Sequence, residues 1–175
     1  MCGKPVKIDQ GGFSLIELII VVLTIAIIAV IAIPNILSAR RSANEGSTIS
    51  ALRILHGAQV AYKTTRGAGN YAGTADATAD TAGLAILHSD GIIDASLASG
   101  TKAGYRFVGA TTASSSLAPA TFFFSANPVG TQGAMKTGTR RYAITQRGVI
   151  GADPTSIGVP FDSTTAQTVP PFDAY

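Results

Sequence analysis

Between Phe13 and Ile33 the chain reads FSLIELIIVVLTIAIIAVIAI, an apolar run broken only by Ser14, Glu17 and Thr24. Wound as an α-helix, this run spans about 31 Å, close to the ~30 Å hydrocarbon core of a bilayer. Its Val and Ile content favours strand in water. In lipid a lone segment must satisfy its own backbone, and the expected form is a helix. Pro34 follows at once; it removes the hydrogen bond to Val30 and predicts a kink there. Beyond Pro34 the pattern changes. Ile49, Leu52, Leu55, Gln59 and Tyr62 step by three and four and form one mostly apolar helix face, with Arg53, Lys63 and Arg66 elsewhere. The helix is therefore expected to cover residues 13–66 and to lay its second half on a folded head. Gly46 and Gly57 each cost roughly 1 kcal/mol against Ala inside a helix. They mark places where the rod bends or melts, or, for Gly57, a site of close packing.

From Gly67 onward the residues are small and the pattern is that of a head domain, residues 67–175. Gly67–Ala82 is rich in turn formers and is expected to be a loop. Leu84–His88 and Asp90–Leu97 suggest a short helix and turn. Tyr105–Gly109 and Tyr142–Gln146 alternate, and Thr121–Ala126 is short and apolar, so three strands are expected, with Gly148–Gly151 as an extension of the third. Medium-length links between sequential strands favour an antiparallel meander. A helix followed by a meander is an α+β ladle. The tail from Asp153 holds Pro154, Pro160, Pro170 and Pro171 and no periodicity, and is expected to be irregular and wrapped on the sheet.

Charge changes this picture little. The net charge of +3 divides into +1 for residues 1–12, +3 for residues 13–66 and −1 for residues 67–175. A nucleic-acid interface needs clustered Lys and Arg. The head offers only Arg140-Arg141, expected as a solvent-facing pair, so nucleic acid is not expected as the main partner. Cys2 is the one cysteine and has no internal partner. His56 and His88 lack partners at zinc-ligand spacing. No Gly-x-Ser-x-Gly, phosphate-cradling loop or paired-acid arrangement appears, and no catalytic role is expected. Asp76 and Asp80, or Asp90 and Asp94, stand four apart, a spacing that suits caps and solvated acids.

The residues before the apolar run carry the sharpest signal. A short polar leader, MCGKPVKIDQ, precedes Gly11-Gly12, then GGFSLIELIIVV. This segment, about residues 10–40, resembles the class III leader and N-terminal helix of type IV pilins and the related pseudopilins. Gly12 stands before the cut, aromatic Phe13 after it, Glu17 at the fifth mature position, and the apolar stretch follows. The residue before Gly12 is glycine, where the family more often has a basic one. A plain membrane anchor leaves Glu17 without a reason. A secretory signal cut after Ala32 would need an apolar core longer than the usual ~7–15 residues.

The resemblance implies a pilin-like fold and a defined life history. Residues 1–12 are a leader held in the cytoplasm. The precursor is a single-pass protein of the bacterial inner membrane, with the lipid bilayer as its first partner. A prepilin peptidase and methyltransferase cuts after Gly12 and N-methylates Phe13, and an inner-membrane assembly platform builds a filament of this pilin or of this and other pilins. Glu17 would recruit the neighbouring subunit. A carboxylate at that depth costs about 2.5–3.5 kcal/mol on insertion scales, and no basic residue lies between it and Arg40. Cleavage would create an amine on Phe13, four residues away on the same helix face. The alternative for Glu17 is an acid snorkelling to the headgroups.

The lead expectation is an extracellular type IV pilus subunit. The alternatives are a type II secretion pseudopilin, whose filament works in the periplasm, and a membrane-anchored binding protein that never polymerises. Many type IV pilins close a C-terminal loop with a disulfide, and a mature chain without cysteine moves weight towards the pseudopilin. Some secretion pseudopilins bind calcium in that loop. Asp153 and Asp162 are carboxylates of the right type here, but no ligand spacing supports a site, and no cofactor is expected.

Overall fold

The computed structural model describes residues 12–74, 79–155 and 157–172. The leader, except Gly12, lies outside them, as does Asp76. One helix, α1, runs Leu15–Thr65, and the other described residues form three short α-helices, a 3-10 turn at Gly133–Met135 and five strands. Two compact units are distinguished, one ending at Ser38 and one beginning at Ala39.

In the first unit α1 is apolar on all sides. Pro34 lies inside it and the helix continues beyond. Two of its polar residues, Thr24 and Asn35, turn inward on their own backbone. The Thr24 hydroxyl donates to the Val21 carbonyl at 2.8 Å, and the Asn35 amide donates to the Ile31 carbonyl at 3.1 Å. Such back-bonding satisfies polar groups where no water or partner is at hand.

In the second unit the amphipathic half of α1 packs on an antiparallel sheet, in the order β1 (Thr101–Lys102), β2 (Tyr105–Thr112), β3 (Thr121–Pro128), β4 (Arg141–Thr145), β5 (Ile150–Asp153). The expected α+β architecture, a long helix on a small antiparallel meander, is what the chain adopts. Leu52, Leu55 and Gln59 are fully buried and Ile49 and Tyr62 partly so, as the helical spacing predicts. They meet the inward residues of the strands: Tyr105 and Phe107 of β2, Phe122 and Phe124 of β3, Tyr142 and Ile144 of β4. Leu84 and Leu87 of α2 (Ala82–Ser89) and Leu97 of α3 (Ala95–Ala98) close the core. Each such side chain contributes about 1.5–3 kcal/mol on burial. Asp94 caps α3 by accepting from the Leu97 amide at 3.0 Å.

The other sheet face is covered as well. Phe123 and Ala143 point away from α1 and pack with Phe161 and Ala166 of the tail, which contains α4 (Thr165–Thr168) and bridges to β5 at Pro171. The tail is therefore wrapped on the sheet, with a helical turn in place of wholly irregular chain.

Three expectations are corrected. Gly148–Gly151 does not prolong the third strand: Gly148 takes φ +74° and donates to Thr145 at 3.0 Å, and the chain reverses into a separate β5. Gly57 is not a close-packing site: it is exposed, and a Cβ there would meet nothing within 4 Å. Arg141 does not face solvent. It is 8% exposed, because an outward position on β4 lies beneath the tail.

Candidate cleavage and assembly segment

The segment Gly12–Phe13–Ser14 precedes α1 and is exposed and outside regular helix. A protease can hold such a bond extended, which it cannot do inside a helix. A Cβ at Gly12 would meet nothing within 4 Å among the described residues, so packing against them does not call for glycine there.

Phe13 is 82% exposed. From Phe13 to Ile33, fifteen large apolar side chains are exposed, Phe13, Leu15 and Ile16 among them. At about 1.5–3 kcal/mol each, their burial is worth roughly 20–45 kcal/mol, more than the ~5–15 kcal/mol that holds a typical domain together. Such a surface is not stable in water. The helix is long and apolar enough to cross a membrane.

Glu17 has a partner that the sequence reading missed. Its carboxylate accepts the Ser14 amide at 3.0 Å, and the Ser14 carbonyl accepts the Leu18 amide at 3.3 Å to open the helix. This is one half of a capping box, in which the third residue of the first turn reaches back to the residue before the helix. The signal was present as Ser14-Leu15-Ile16-Glu17. A carboxylate near the positive end of α1 is also favoured by the helix dipole. Glu17 therefore has a role within its own chain, satisfying an amide that would otherwise be orphaned.

In the second unit a row of α1 side chains holds the link between β3 and β4. The Arg41 guanidinium donates to the Gly133 and Lys136 carbonyls, both at 3.3 Å, and the Asn44 amide to the Thr137 carbonyl at 2.9 Å. Glu45 accepts the Thr139 amide at 2.7 Å, the Thr139 hydroxyl at 2.6 Å and the Tyr142 hydroxyl at 3.0 Å. Burial first, and the Glu45 charge second, push the Tyr105 and Tyr142 phenols well above their ordinary value. Deeper along α1, Gln59 pairs at both ends with the Ala72 backbone, at 2.6 and 2.8 Å.

The carboxylates considered for calcium are engaged otherwise. Asp153 accepts Arg141 through one oxygen and Thr155 through the other. Asp162 accepts the Thr164 and Thr165 amides and the Thr165 hydroxyl, and these bonds, led by those from Thr165, hold its carboxyl below the usual range. Among the described residues no three His, Cys, Asp or Glu side chains group as metal ligands. No protein-family model, curated protein or solved structure matches the chain.

Proposed function

We propose that the chain is a structural subunit of a type IV pilus: a membrane-inserted precursor, cleaved after Gly12, N-methylated on Phe13 and polymerised into a filament. The observation that carries this reading is the apolar half of α1, exposed on all sides and joined in one helix to the half that seats the head. Lipid covers that surface before assembly, and the same half of other subunits covers it afterwards. An exposed, non-helical Gly12–Phe13 bond supports processing at that place. In this reading the precursor sits in the bacterial inner membrane with its leader in the cytoplasm, and the filament is extracellular. Its partners are a prepilin peptidase and methyltransferase, an inner-membrane assembly platform and further copies of the pilin.

Glu17 then acts twice. In the single chain it caps its own helix through Ser14. In the filament it faces the Phe13 amine of a neighbour. Glu17→Gln separates the roles, since the amide oxygen still accepts from Ser14 but carries no charge. The variant is expected to insert and to be cut normally, yet to yield few filaments in a shearing assay. A normal filament yield refutes the pairing. N-terminal sequencing tests the processing: a start at Phe13 is expected, and a start at Ile33 would identify a secretory signal.

The second reading is a pseudopilin of a type II secretion system, working in the periplasm. It is favoured by one observation: the mature chain would hold no cysteine, and Arg141 and Asp153 pin the C-terminal segment in place of a disulfide.

A further inference from the structure

The link from β3 to β4, residues 129–140, carries an apolar tip that the head does not use. Met135 ends its 3-10 turn and is 82% exposed, and Val129 is 62% exposed. Met135 joins neither hydrophobic cluster of the head. The link is nevertheless held firmly. Besides its bonds from Arg41 and Asn44, the Thr137 hydroxyl donates to the Gly104 carbonyl at 2.7 Å. The Thr137 amide donates to the Gly130 carbonyl at 2.9 Å, and the Lys136 amide to the Gly133 carbonyl at 3.3 Å. The charge around the tip is mostly of one sign. Arg40 is exposed and Lys136 half-buried, and neither forms an ion pair among the described residues. Arg41 and Arg140 add two cations, residues 129–140 hold no acid, and Glu45 is the carboxylate that touches the link. The Asp94–Lys102 pair beside the β1–β2 turn is neutral as a unit. Residues 67–175 together sum to −1, so this excess of cations is local.

The length of the tether says what this tip meets. Arg41, which grips the link, follows Ile33 at the end of the apolar run, and α1 is helical between them. Eight helical residues carry the chain at most about 12 Å, at any angle between the two units. The headgroup layer outside the ~30 Å hydrocarbon core is itself about 5–8 Å deep. With Ile33 at the edge of the hydrocarbon, the Arg41 backbone stands within a few Å of that layer, and Gly133 and Lys136 lie one arginine side chain further. Long basic side chains reach such distances to phosphate. Anionic lipid attracts cations next to a span. Methionine, unbranched and polarizable, adapts to an irregular apolar surface. An acidic protein or a nucleic acid answers the charge alone; a bilayer answers the charge, the exposed Met135 and Val129, and the tether.

We infer that the 129–140 link docks on the bilayer that α1 spans, with Met135 among the headgroups and Arg40 and Lys136 on phosphates of anionic phospholipid. The inference rests on the membrane-spanning part of the proposed function, and on neither cleavage nor polymerisation. It gives the unassembled subunit a docked head that assembly has to release. The chain has no tryptophan, so Met135→Trp supplies a lone fluorescent probe. Leu117→Trp is its control: Leu117 is 97% exposed in the β2–β3 loop, beyond the Thr112–Thr121 end of the ladder, and β3 sets that end roughly 25 Å from the link. Both full chains are reconstituted in vesicles of equimolar phosphatidylglycerol and phosphatidylcholine, the latter brominated on its acyl chains near the headgroup. Met135→Trp emission is expected to shift to the blue and to be quenched, and Leu117→Trp emission to do neither. A basic residue near an anionic surface is worth about fivefold. Adding Arg40→Gln and Lys136→Gln is therefore expected to lower the docked-to-undocked ratio roughly 25-fold, and vesicles of phosphatidylcholine alone should act in the same direction. Equal quenching at both positions overturns the docking face. Quenching that ignores both the glutamines and the loss of phosphatidylglycerol overturns the phosphate contacts. A blue shift without quenching that grows with the protein-to-lipid ratio overturns the lipid contact and gives Met135 to a second copy. An alkaline carbonate wash separates the two levels: a chain that washes off the vesicles refutes the span and the docking with it, and a chain that stays on them unquenched refutes the docking alone.

Discussion

Asp153→Ala is expected to destabilise the head by about 3 kcal/mol. Arg141 Nε and Nη2 both donate to Asp153 Oδ2, at 2.9 and 2.6 Å. Nη1 donates to the Val159 carbonyl at 2.9 Å, and the guanidinium lies 3.9 Å over the Phe161 ring. Without Asp153, two of these three charge-assisted bonds vanish and a cation stays beneath the tail. Breaking a buried pair from one side costs about 3–5 kcal/mol. The Arg141 and Asp153 side chains keep 10% and 17% exposure, so solvent screens part of the loss and the lower end applies. For a unit of this size that is a fall in Tm of about 6–12 °C. The assay is thermal melting of the full chain in detergent, followed by near-ultraviolet circular dichroism, which reports the buried Tyr105 and Tyr142. Arg141→Met combined with Asp153→Ala removes the cation along with its counter-charge and is expected to melt above the single Asp153→Ala variant. A fall of less than about 2 °C in the single variant, or a double variant that melts below it, refutes the clamp.

The same contacts give a pH signature. Burial alone would push the Asp153 carboxyl up, but the Thr155 and Arg141 bonds outweigh it and hold it below its ordinary value. A carboxyl depressed on folding contributes stability that is present above its unfolded value of about 4 and lost as pH falls through the folded value. Wild-type Tm should therefore drop below pH 4 more steeply than that of Asp153→Ala.

Tyr105 and Tyr142 give the opposite limb: their phenols are raised on folding, so the stability they contribute is present below the unfolded value of about 10 and lost as pH climbs beyond it. Tyr142→Phe should flatten that alkaline fall in Tm, and an unchanged slope would contradict the assignment. Gln59→Leu leaves both ends of the Ala72 backbone unpaired, and Ala72 is 2% exposed. It should cost about 2–4 kcal/mol in a urea titration despite the apolar gain, and a neutral result would show that the loop repairs itself. Gly57→Ala should stabilise by about 1 kcal/mol, since the new methyl meets open space; a loss would show the glycine to be needed for something in the single chain.

Local periodicity was legible and long-range partners were not. The spacing of Ile49, Leu52, Leu55, Gln59 and Tyr62 fixed the buried face of α1 because a helix repeats every 3.6 residues whatever it packs on. The Phe122-Phe123-Phe124 run gave a strand but no face. Its triple aromatic has a cause only once the tail is placed: Phe122 and Phe124 meet the core under α1, and Phe123 meets Phe161 and Ala166. A sheet buried on both faces loses the alternation that betrays orientation. Arg141 was misjudged for the same reason. Its position on β4 is outward, and outward means solvent only if no later segment returns to cover it. That segment begins 12 residues away at Asp153 and carries its own four prolines, which hide its path from any periodic reading.

Glu17 shows the reverse case, a local partner overlooked in favour of a distant one. An acid in an apolar run carries the cost of buried charge, and a positive charge is the obvious compensation. The cheaper compensation is a backbone amide three residues upstream, which needs no second charge and costs no extra chain entropy, because the helix itself sets the geometry. This changes what Glu17 can imply. A capped carboxylate is tolerable in a single chain, so its presence alone does not demand a neighbour. What singles it out is the amine that cleavage after Gly12 would create next to the same cap. Under the proposed processing, residue 13 would change from a neutral amide to a cation at the start of α1, while Ser14 holds the Glu17 carboxylate in place. Cleavage would thus add a positive charge that the single chain's cap does not need, and the proposal gives that charge to the Glu17 of a neighbouring subunit.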